Sequence, residues 1–478
     1  MNKEELFEVM EDIDAKHVKA AREPMPKKPV WKRRWVRAVA AVLVLAVAGG
    51  ILLRPDHSVL VPKAYAVALA EYPEMASCPR TDMTPGYDAW REDVLAQRRP
   101  AGHAAGLEDF FAATIQKFLS GAEGENKVYS PVSVYLALGM MAELTDGNSR
   151  AQILELLGYT DMDALRQQAN DIWNANYMND GKTVSILGSS LWLNEDISFR
   201  QDTMDTLAGT YCASTYQGKM GSQKFNKTLQ KWLNAHTGGQ LAEQAGQVEL
   251  DADTVMALAT AVWYQAKWDS AFSTGNTAAG VFHGADGDVT CDFMHKEKMQ
   301  GYYYWGEGFA AVFLNLENAG HMWFILPDEG VSVDELLAGG EAMEFLKEGQ
   351  SWENCKYMKI NLALPKFDVT SQIDLIEGLK DLGVTDVLDW RTADFTPMLE
   401  GEEEYLEYLP YLSQAQQDVR VSIDEDGVTA VAYTILSFGA GAAAPPDDEV
   451  DFIVDRPFLF VISGADDVPL FVGVVNDP

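Results

Sequence analysis

Residues 126–144 read NKVYSPVSVYLALGMMAEL and contain the start and the body of one helix. Ser130 is a residue type that caps helix N-termini, and Pro131 suits the first helical position. Apolar residues then fall on every face, which is typical of a helix enclosed by other elements. The stretch therefore predicts a helix inside the core of a large domain.

A second helix is predicted directly after it, in DGNSRAQILELLG at residues 146–158. Ser149 and Gln152 have the spacing of a capping box, in which two side chains satisfy free backbone N–H groups at a helix start. Gly158 supplies the left-handed stop. The region from about Leu107 onward is thus organised as one folded unit.

Strand-like runs rich in β-branched and aromatic residues follow. They are SILGSSLWL from Ser185, MWFILP from Met322, YMKINLALPKF from Tyr357, VRVSID at 419–424, FIVDRPFLFVIS at 452–463 and PLFVGVVN at 469–476. Several are apolar on both faces, as central strands of a covered sheet are. Helices and strands together predict an α+β domain.

Composition excludes several classes of function. The 478 residues are 47% hydrophobic and carry a formal net charge of −35, which repels nucleic-acid phosphates. No phosphate-binding loop, zinc-protease motif or nucleophile elbow occurs, so we expect no enzyme activity. The four cysteines lie far apart, and Cys291 with His295 is interpreted as packing. We expect neither metal nor cofactor.

The N-terminal part differs from the rest. Residues 1–37 hold 10 Lys+Arg against 7 Asp+Glu, and residues 38–53, AVAAVLVLAVAGGILL, lack any polar side chain. Sixteen helical residues reach about 24 Å, which nearly crosses a bilayer core. The sequence predicts a basic cytoplasmic segment at 1–37, a transmembrane helix or signal anchor at 38–53, and an extracytoplasmic, proline-rich linker at 54–106.

A cleavable signal peptide is the alternative. Both Ala46-Val47-Ala48 and Ala64-Tyr65-Ala66 are small-residue sites of the kind that signal peptidase accepts. The first lies inside the apolar run and the second well beyond it, which favours an uncleaved anchor. The domain at 107–478 is therefore expected outside the cell membrane, tethered or secreted, in an arrangement that would suit a bacterial cell surface.

One segment suits two environments. Residues 426–447, DGVTAVAYTILSFGAGAAAPPD, contain a glycine, about ten strand-like residues, and a Gly/Ala tract closed by two prolines. A flexible loop has little need of apolar strand residues, whereas a permanently exposed strand would aggregate. The pattern indicates a segment that is exposed in one state and buried in another.

These motifs together resemble the serpin family over nearly all of residues 107–478. The similar stretches, in order, are NKVYSPVSVYLAL, DGNSRAQILELLG, TVMALATAVWYQAKWDSAF at 254–272, LALPKFDV at 362–369, LGVTDVL at 382–388, ADFT at 393–396 and the signature around Asp455, Arg456, Pro457 and Phe458. The resemblance implies a metastable fold of three β-sheets and eight or nine helices that displays a reactive-centre loop to serine proteases.

The resemblance also implies a mechanism for this loop. A protease cuts it, and the freed N-terminal half inserts into the central sheet before the acyl-enzyme hydrolyses. The implied hinge residues are Gly427, Val428, Ala430, Ala432 and Thr434. The implied reactive bond is Gly441–Ala442, within a window from Gly439 to Ala444. Its Gly and Ala residues favour an elastase-like or subtilisin-like protease.

Strand alternation places alternate loop residues on one face. If Val428 points inward, then Ala430, Ala432 and Thr434 do so too, and such small side chains enter a packed sheet without overpacking it. This hinge resembles those of inhibitors. Non-inhibitory relatives often carry charge or proline there.

Two positions depart from the family pattern where the central strands part. The resemblance implies a buried polar cluster of Ser130 and Ser133 with an Asn and a His. In this sequence Ser189 stands in place of the Asn and Gln417 in place of the His. The resemblance also implies that Trp268 ends the long strand in residues 254–272. Gln donates and accepts hydrogen bonds as His does, without a pH-dependent charge. A non-inhibitory binding module or a membrane-tethered protease sensor therefore stays an alternative to a monomeric inhibitor.

Overall fold

The structure is a computed structural model that describes residues 61–75, 78, 86–97, 104–122, 124–317, 320–401, 410–428, 446–464 and 467–478. All of them lie in one unit, His57–Pro478. The predicted membrane segment 38–53 lies outside the described residues. Within them, no helix combines the length and the apolar character that crossing a bilayer requires.

The α-helices are α1 Tyr87–Gln97, α2 Glu108–Leu119, α3 Pro131–Leu144, α4 Gly147–Leu157, α5 Met162–Asn176, α6 Gln201–Thr210, α7 Gln223–His236, α8 Ala242–Ala245, α9 Val333–Leu337, α10 Glu341–Glu348 and α11 Ile376–Asp381. The strands are β1 Ala66–Ala68, β2 Lys127–Tyr129, β3 Met178–Asn179, β4 Val184–Asn194, β5 Ala213–Gly218, β6 Met256–Lys267, β7 Thr277–Gly284, β8 Gly287–Gly306, β9 Phe309–Leu316, β10 Gly320–Pro327, β11 Cys355–Pro365, β12 Phe367–Asp374, β13 Gln416–Ile423, β14 Gly427–Val428, β15 Glu449–Ile453, β16 Phe458–Ser463 and β17 Pro469–Val475.

Helix α3 is buried along its whole length, as its all-round apolar sequence predicts. Every residue from Pro131 to Leu144 except Ala137 is buried. Pro131 takes the first helical position, but the Ser130 hydroxyl makes no capping hydrogen bond. It donates instead to the hydroxyl of Ser133 at 3.1 Å. The two serine hydroxyls are therefore bonded to each other and not to the helix backbone at its start.

The first sheet has the strand order β1-β5-β4-β6-β14-β13-β12. Strands β4 and β6 pair antiparallel over ten residues, from Val184 with Gln265 to Leu193 with Met256. Helix α7 lies against this pair, because the ring of His236 contacts Gly188 and Gly238 contacts Trp263. The far strands β12 and β13 form their own eight-residue antiparallel ladder.

The second sheet has the order β15-β11-β8-β9-β10-β16-β17-β2. The family resemblance implies three sheets, whereas the hydrogen bonds of the described residues connect two. The reason is the 20-residue strand β8, which pairs with β11 along most of its length and with β9 at Tyr304–Gly306. One strand therefore joins what would otherwise be separate sheets, and the eleven described α-helices exceed the eight or nine expected.

Described parts of the segment 54–106, which the sequence predicts to be a linker, pack against the domain. Strand β1 pairs antiparallel with β5 and covers the edge of the first sheet. Ala68, Met75 and Trp90 are buried in the main core. Prolines stop helices, but they do not prevent a chain from pairing with a sheet edge, so a proline-rich composition does not reveal this packing.

Candidate functional site

The candidate site is the interval between β6 and β13 of the first sheet, which we call the opening. Strand β14 lies between them at one end, with Val428 opposite Ala266 of β6 and Ile423 of β13. Val428 is 2% exposed. In the strand order of the described residues, β14 stands between β6 and β13, and these two strands are not paired directly with each other.

Gly427 is required at the start of β14. A Cβ atom at this position would collide with the carbonyl oxygen of Ala266. The turn before it is closed by the Asp424 carboxylate, which accepts hydrogen bonds from the N–H groups of Asp426 at 2.9 Å and Gly427 at 3.2 Å. The turn thus fixes the point at which the chain leaves β13 and enters the opening.

Trp268 holds this turn in place. Its indole N–H donates to the carbonyl oxygen of Asp424 at 2.8 Å, and its backbone N–H donates to that of Asp426 at 3.0 Å. The ring is buried and packs against Phe272 and Phe324. The tryptophan that directly follows β6 therefore anchors the hinge through two hydrogen bonds.

The pKa values of two acidic hinge residues, Asp424 and Glu425, are shifted in opposite directions. Burial raises the pKa of Asp424, against the two backbone N–H donors that lower it. Burial also tends to raise the pKa of Glu425, but a hydrogen bond from the Thr277 hydroxyl at 2.7 Å and an ion pair with Lys366 at 3.1 Å hold this pKa below the usual range. Glu425 therefore ties the turn to the neighbouring second sheet as a carboxylate.

Gln417 links β13 to the buried helix at the middle of the opening. Its side-chain oxygen accepts from the Ser130 N–H at 2.7 Å, and its side-chain nitrogen donates to the Ser130 carbonyl oxygen at 3.1 Å. With the bond from Ser130 to Ser133, these form a buried polar chain. Ser189 is buried on β4, opposite Thr260, and no hydrogen bond of the described residues joins its side chain to Gln417.

Sequence reasoning missed a second link across the opening. Arg420 on β13 makes a bidentate ion pair with Asp368 of β12, at 2.7 and 2.6 Å. Its guanidinium also donates to the carbonyl oxygen of Gln240, which follows α7 on the other side, at 3.2 Å. Hydrogen bonding to Arg420 lowers the pKa of Asp368. The sequence signal that could have indicated this link is Arg420 itself, a cation at an outward-facing position of the alternating run VRVSID.

The signature segment forms the connection between β15 and β16. Arg456 donates to the Pro327 carbonyl oxygen at 2.9 Å and to the Asp455 carboxylate at 2.8 Å. Pro457 follows, and Phe458 is fully buried among Phe282, Phe324 and Phe367. The run FIVDRPFLFVIS is therefore two strands with a break at Val454–Pro457, not one.

The remaining residues predicted for the loop lie outside the described residues. They are the hinge residues Ala430, Ala432 and Thr434 and the reactive-bond residues Gly441 and Ala442. The structure brings together Gly427, Val428 and Trp268 at one end of the opening and Gln417, Ser130 and Ser133 at its middle.

Comparisons with known proteins agree with this architecture. A family model described as Serpin (serine protease inhibitor) matches residues 106–478. Serpin-Z2A of Oryza sativa subsp. japonica is 25% identical over 79% of this chain and 98% of its own length. Plasminogen activator inhibitor 1 of Sus scrofa is 26% identical over 77% of this chain and 91% of its own length.

A solved structure shows the same fold. The thermophilic serpin tengpin, in its native state, superposes with a TM-score of 0.69 at 24% identity, covering 80% of this chain and 96% of tengpin. The family match spans well over half of the sequence and includes every strand that borders the opening. The chain therefore belongs to the serpin family.

Proposed function

We propose that this serpin is a suicide-substrate inhibitor of an elastase-like or subtilisin-like serine protease. The observation that carries the proposal is β14, a two-residue strand that already occupies the top of the position between β6 and β13. A strand that begins between β6 and β13 gives the cleaved loop a register along which it could insert, and this supports the proposal.

Continuing the register of β14 assigns a place to each hinge residue. Val428 opposes Ala266 and Ile423, so two-residue steps put Ala430 opposite Tyr264 and Val421. The next steps put Ala432 opposite Val262 and Val419, and Thr434 opposite Thr260 and Gln417. These partners are the core-facing residues of their strands, since Tyr264, Val419, Val421 and Gln417 are buried.

Small inserted side chains suit these neighbours. An alanine between two inward-facing valines adds little volume, whereas a long or charged side chain would overpack the sheet or bury an unpaired charge. The sequence of the hinge thus fits the strands on both sides of it.

In the proposed reaction the protease serine attacks the carbonyl carbon of Gly441. An ester forms between that carbon and the serine oxygen, and Ala442 leaves as a free amine that takes up a proton. Residues 429 onward then insert below Val428 and carry the ester-linked protease along. Fifteen inserted residues span roughly 50 Å, enough to move the protease from one pole of the domain to the other.

Mixing the protein with elastase or subtilisin tests the proposal directly. We expect a covalent complex that survives a denaturing gel, because the ester is trapped before water hydrolyses it. Clean cleavage near Gly441 without a complex would instead identify a substrate or a tethered sensor. This alternative is favoured by Ser189 and Gln417, which replace the Asn and the His of the family pattern.

We also propose that the domain is held at the outer face of a membrane by residues 38–53. Seven residues, 54–60, separate Leu53 from Val61, the first described residue, so the chain between these two residues reaches at most about 29 Å. Basic residues before the apolar run favour the N-terminus inside the cell.

Protease shaving of intact cells tests this topology. We expect added protease to remove the domain and spare residues 1–37, because the bilayer shields them. Full-length domain free in the medium, with an N-terminus near Gly49 or Val67, would mean that the segment is a cleaved signal peptide.

A further inference from the structure

Exposed lysines form a row on α7 and continue onto the neighbouring segments. Residues 206–242 contain four lysines and neither aspartate nor glutamate, in a chain that holds 72 Asp+Glu against 37 Lys+Arg. With one more lysine before β1, the exposed set, which we call the basic patch, is Lys63, Lys219, Lys224, Lys227 and Lys231. Among the residues that the structure describes, none of these five lysines forms an ion pair.

Helix α7 holds three of these lysines on its solvent side. Lys224, Lys227 and Lys231 follow the i, i+3, i+7 spacing of one helix face. The side that packs on the first sheet carries buried residues, among them Phe225 and Trp232. The lysines therefore stay in solvent, because the apolar side of the helix is fixed against the sheet.

The segment before β1 brings Lys63 to the start of this row. Val61 is buried in one apolar cluster with Phe225, at the beginning of α7. The rings of Tyr65 and Phe225 have centroids 5.2 Å apart, and Nζ of Lys224 lies 5.5 Å from the centroid of the Tyr65 ring. The point where the chain enters the described domain is thus beside the basic patch.

This entry point lies at the end of the first sheet that is far from the hinge. Val184, the first residue of β4, pairs with β6 one residue before the contact of β6 with Val428. Asn194, the last residue of β4, pairs with Gly218 of β5, and Lys219 follows directly. The ten residue steps along β4 span about 33 Å. The basic patch therefore begins at the pole of the sheet opposite the hinge.

Acidic residues border the patch before α7 begins. The N–H of Glu195 donates to the carbonyl oxygen of Gly218 at 3.0 Å. Asp251 and Asp253 are exposed on the segment that lies against Gly221. The positive area is thus bounded at this end and extends along the helix.

We propose that the basic patch docks on the anionic lipid headgroups of the membrane from which the chain emerges. The proposal rests on the proposed attachment through residues 38–53. It adds a second contact with the bilayer, made by the folded domain itself.

The position of the attachment favours a lipid surface as the partner. The chain between Leu53 and Val61 reaches at most about 29 Å, so the pole that carries the patch is the part of the domain held at the membrane. Attraction to an anionic surface acts within a Debye length of about 8 Å, and each lysine inside that distance strengthens binding about fivefold. Docking there orients the hinge away from the bilayer, so that the reactive loop faces proteases in solution.

Lysine acetylation of the full chain in lipid nanodiscs measures this contact. In nanodiscs that contain phosphatidylglycerol, at low salt, we expect the patch lysines to react about tenfold more slowly than in phosphatidylcholine nanodiscs. High salt should abolish the difference, because it screens the attraction. Lys298 of β8 and Lys380 of α11, both exposed, are internal references and should change by less than about twofold.

The variant Lys224→Gln/Lys227→Gln/Lys231→Gln removes the helical part of the patch. All three side chains are exposed, so we expect the domain to fold as the wild type does. Lys63 and Lys219 should then react equally, within about twofold, in the two kinds of nanodisc.

The matched control is Lys298→Gln/Lys356→Gln/Lys380→Gln, which removes the same charge from other elements of the fold. It should keep the protection of Lys63 and Lys219 at about tenfold. An equal loss of protection in this control would overturn the docking surface, because net charge would then explain the effect.

Two further results would overturn the proposal. One is equal reaction of the patch lysines in both nanodiscs, or references that slow as much as the patch. The other is protection by dextran sulfate in neutral nanodiscs without protection by phosphatidylglycerol, because a soluble polyanion would then be the partner. Retention of the chain on neutral nanodiscs measures the anchor by itself, so a failure of the anchor is distinguishable from a failure of the patch.

Discussion

The variant Ala432→Glu is expected to fold normally and to behave as a substrate instead of an inhibitor. The proposed mechanism keeps residue 432 outside the sheet until the loop is cut, where a substitution changes stability by no more than about 0.5 kcal/mol. Insertion then brings the carboxylate between Val262 and Val419, in the register that β14 begins. An unpaired carboxylate there costs several kcal/mol.

The outcome is a race between insertion and hydrolysis of the acyl-enzyme. Each 1.4 kcal/mol added to the insertion barrier shifts the products about tenfold toward released, cleaved protein. If about 3 kcal/mol of the cost is felt in the barrier, the ratio of complex to cleaved product falls about 100-fold. Densitometry of complex and cleaved bands on a denaturing gel measures this ratio.

Val431→Glu is the matched control with the same charge on the other face. The register places residue 431 opposite Trp263 and Arg420, and Arg420 is a partly exposed cation. The inserted carboxylate then lies near solvent and beside an opposite charge, so the ratio should stay within a few-fold of the wild type. Equal losses in both variants would show that the face assignment is wrong, and no loss in Ala432→Glu would refute insertion.

Local patterns predicted the elements whose structure is determined locally. Helix α3 begins at Pro131 as its sequence indicates, and β4 covers the predicted run from Ser185. Burial follows from composition in both, because an apolar surface on all sides has no stable position except the core. The serpin fold itself is confirmed by the strand order and by the family match.

Contacts between distant residues account for the errors. The capping box predicted at Ser149 and Gln152 is absent, since α4 begins at Gly147. The Ser149 hydroxyl accepts from the N–H of Asp394 at 3.1 Å, and Gln152 bonds to Asp386. Partners some 240 residues away replace the local bonds that the spacing suggested, and no local rule contains them.

For the same reason, the sequence could indicate only some of the residues of the candidate site. Gly427 and Trp268 stand in recognisable sequence contexts, so a resemblance could name them. The link from Arg420 to Gln240 joins residues 180 positions apart and exists only because α7 crosses the sheet. A similar argument applies to β1, whose pairing with β5 depends on an exposed edge that composition does not show.

Cutting the loop near Gly441 is expected to make the protein more stable, not less. In the intact form, β6 and β13 pair with β14 at Val428 and with no other described strand in the opening. Of the fifteen inserted residues, about eight would face β13, which is Gln416–Ile423, and would add some sixteen backbone hydrogen bonds, each worth about 1 kcal/mol before the cost of ordering the chain. It would also bury Ala430, Ala432, Thr434 and Leu436.

A net gain of about 5–10 kcal/mol corresponds to a rise in Tm of roughly 6–13 °C for a domain of this size, because its unfolding entropy is about 2.1 cal/mol/K per residue. The intact form would then be kinetically trapped, so its thermal transition should depend on scan rate. Calorimetry before and after the cut measures both effects. A cleaved form that melts no higher than the intact one would rule out insertion.

The cleaved Ala432→Glu variant separates insertion from other effects of cleavage. Its loop carries the same cut and the same new termini, but its strand can complete only the rungs above residue 432 without burying a carboxylate. We expect its Tm to rise by less than half as much as that of the cleaved wild type. Equal rises would mean that stabilisation arises from relieving the uncut loop, because such relief does not depend on which side chain enters the sheet.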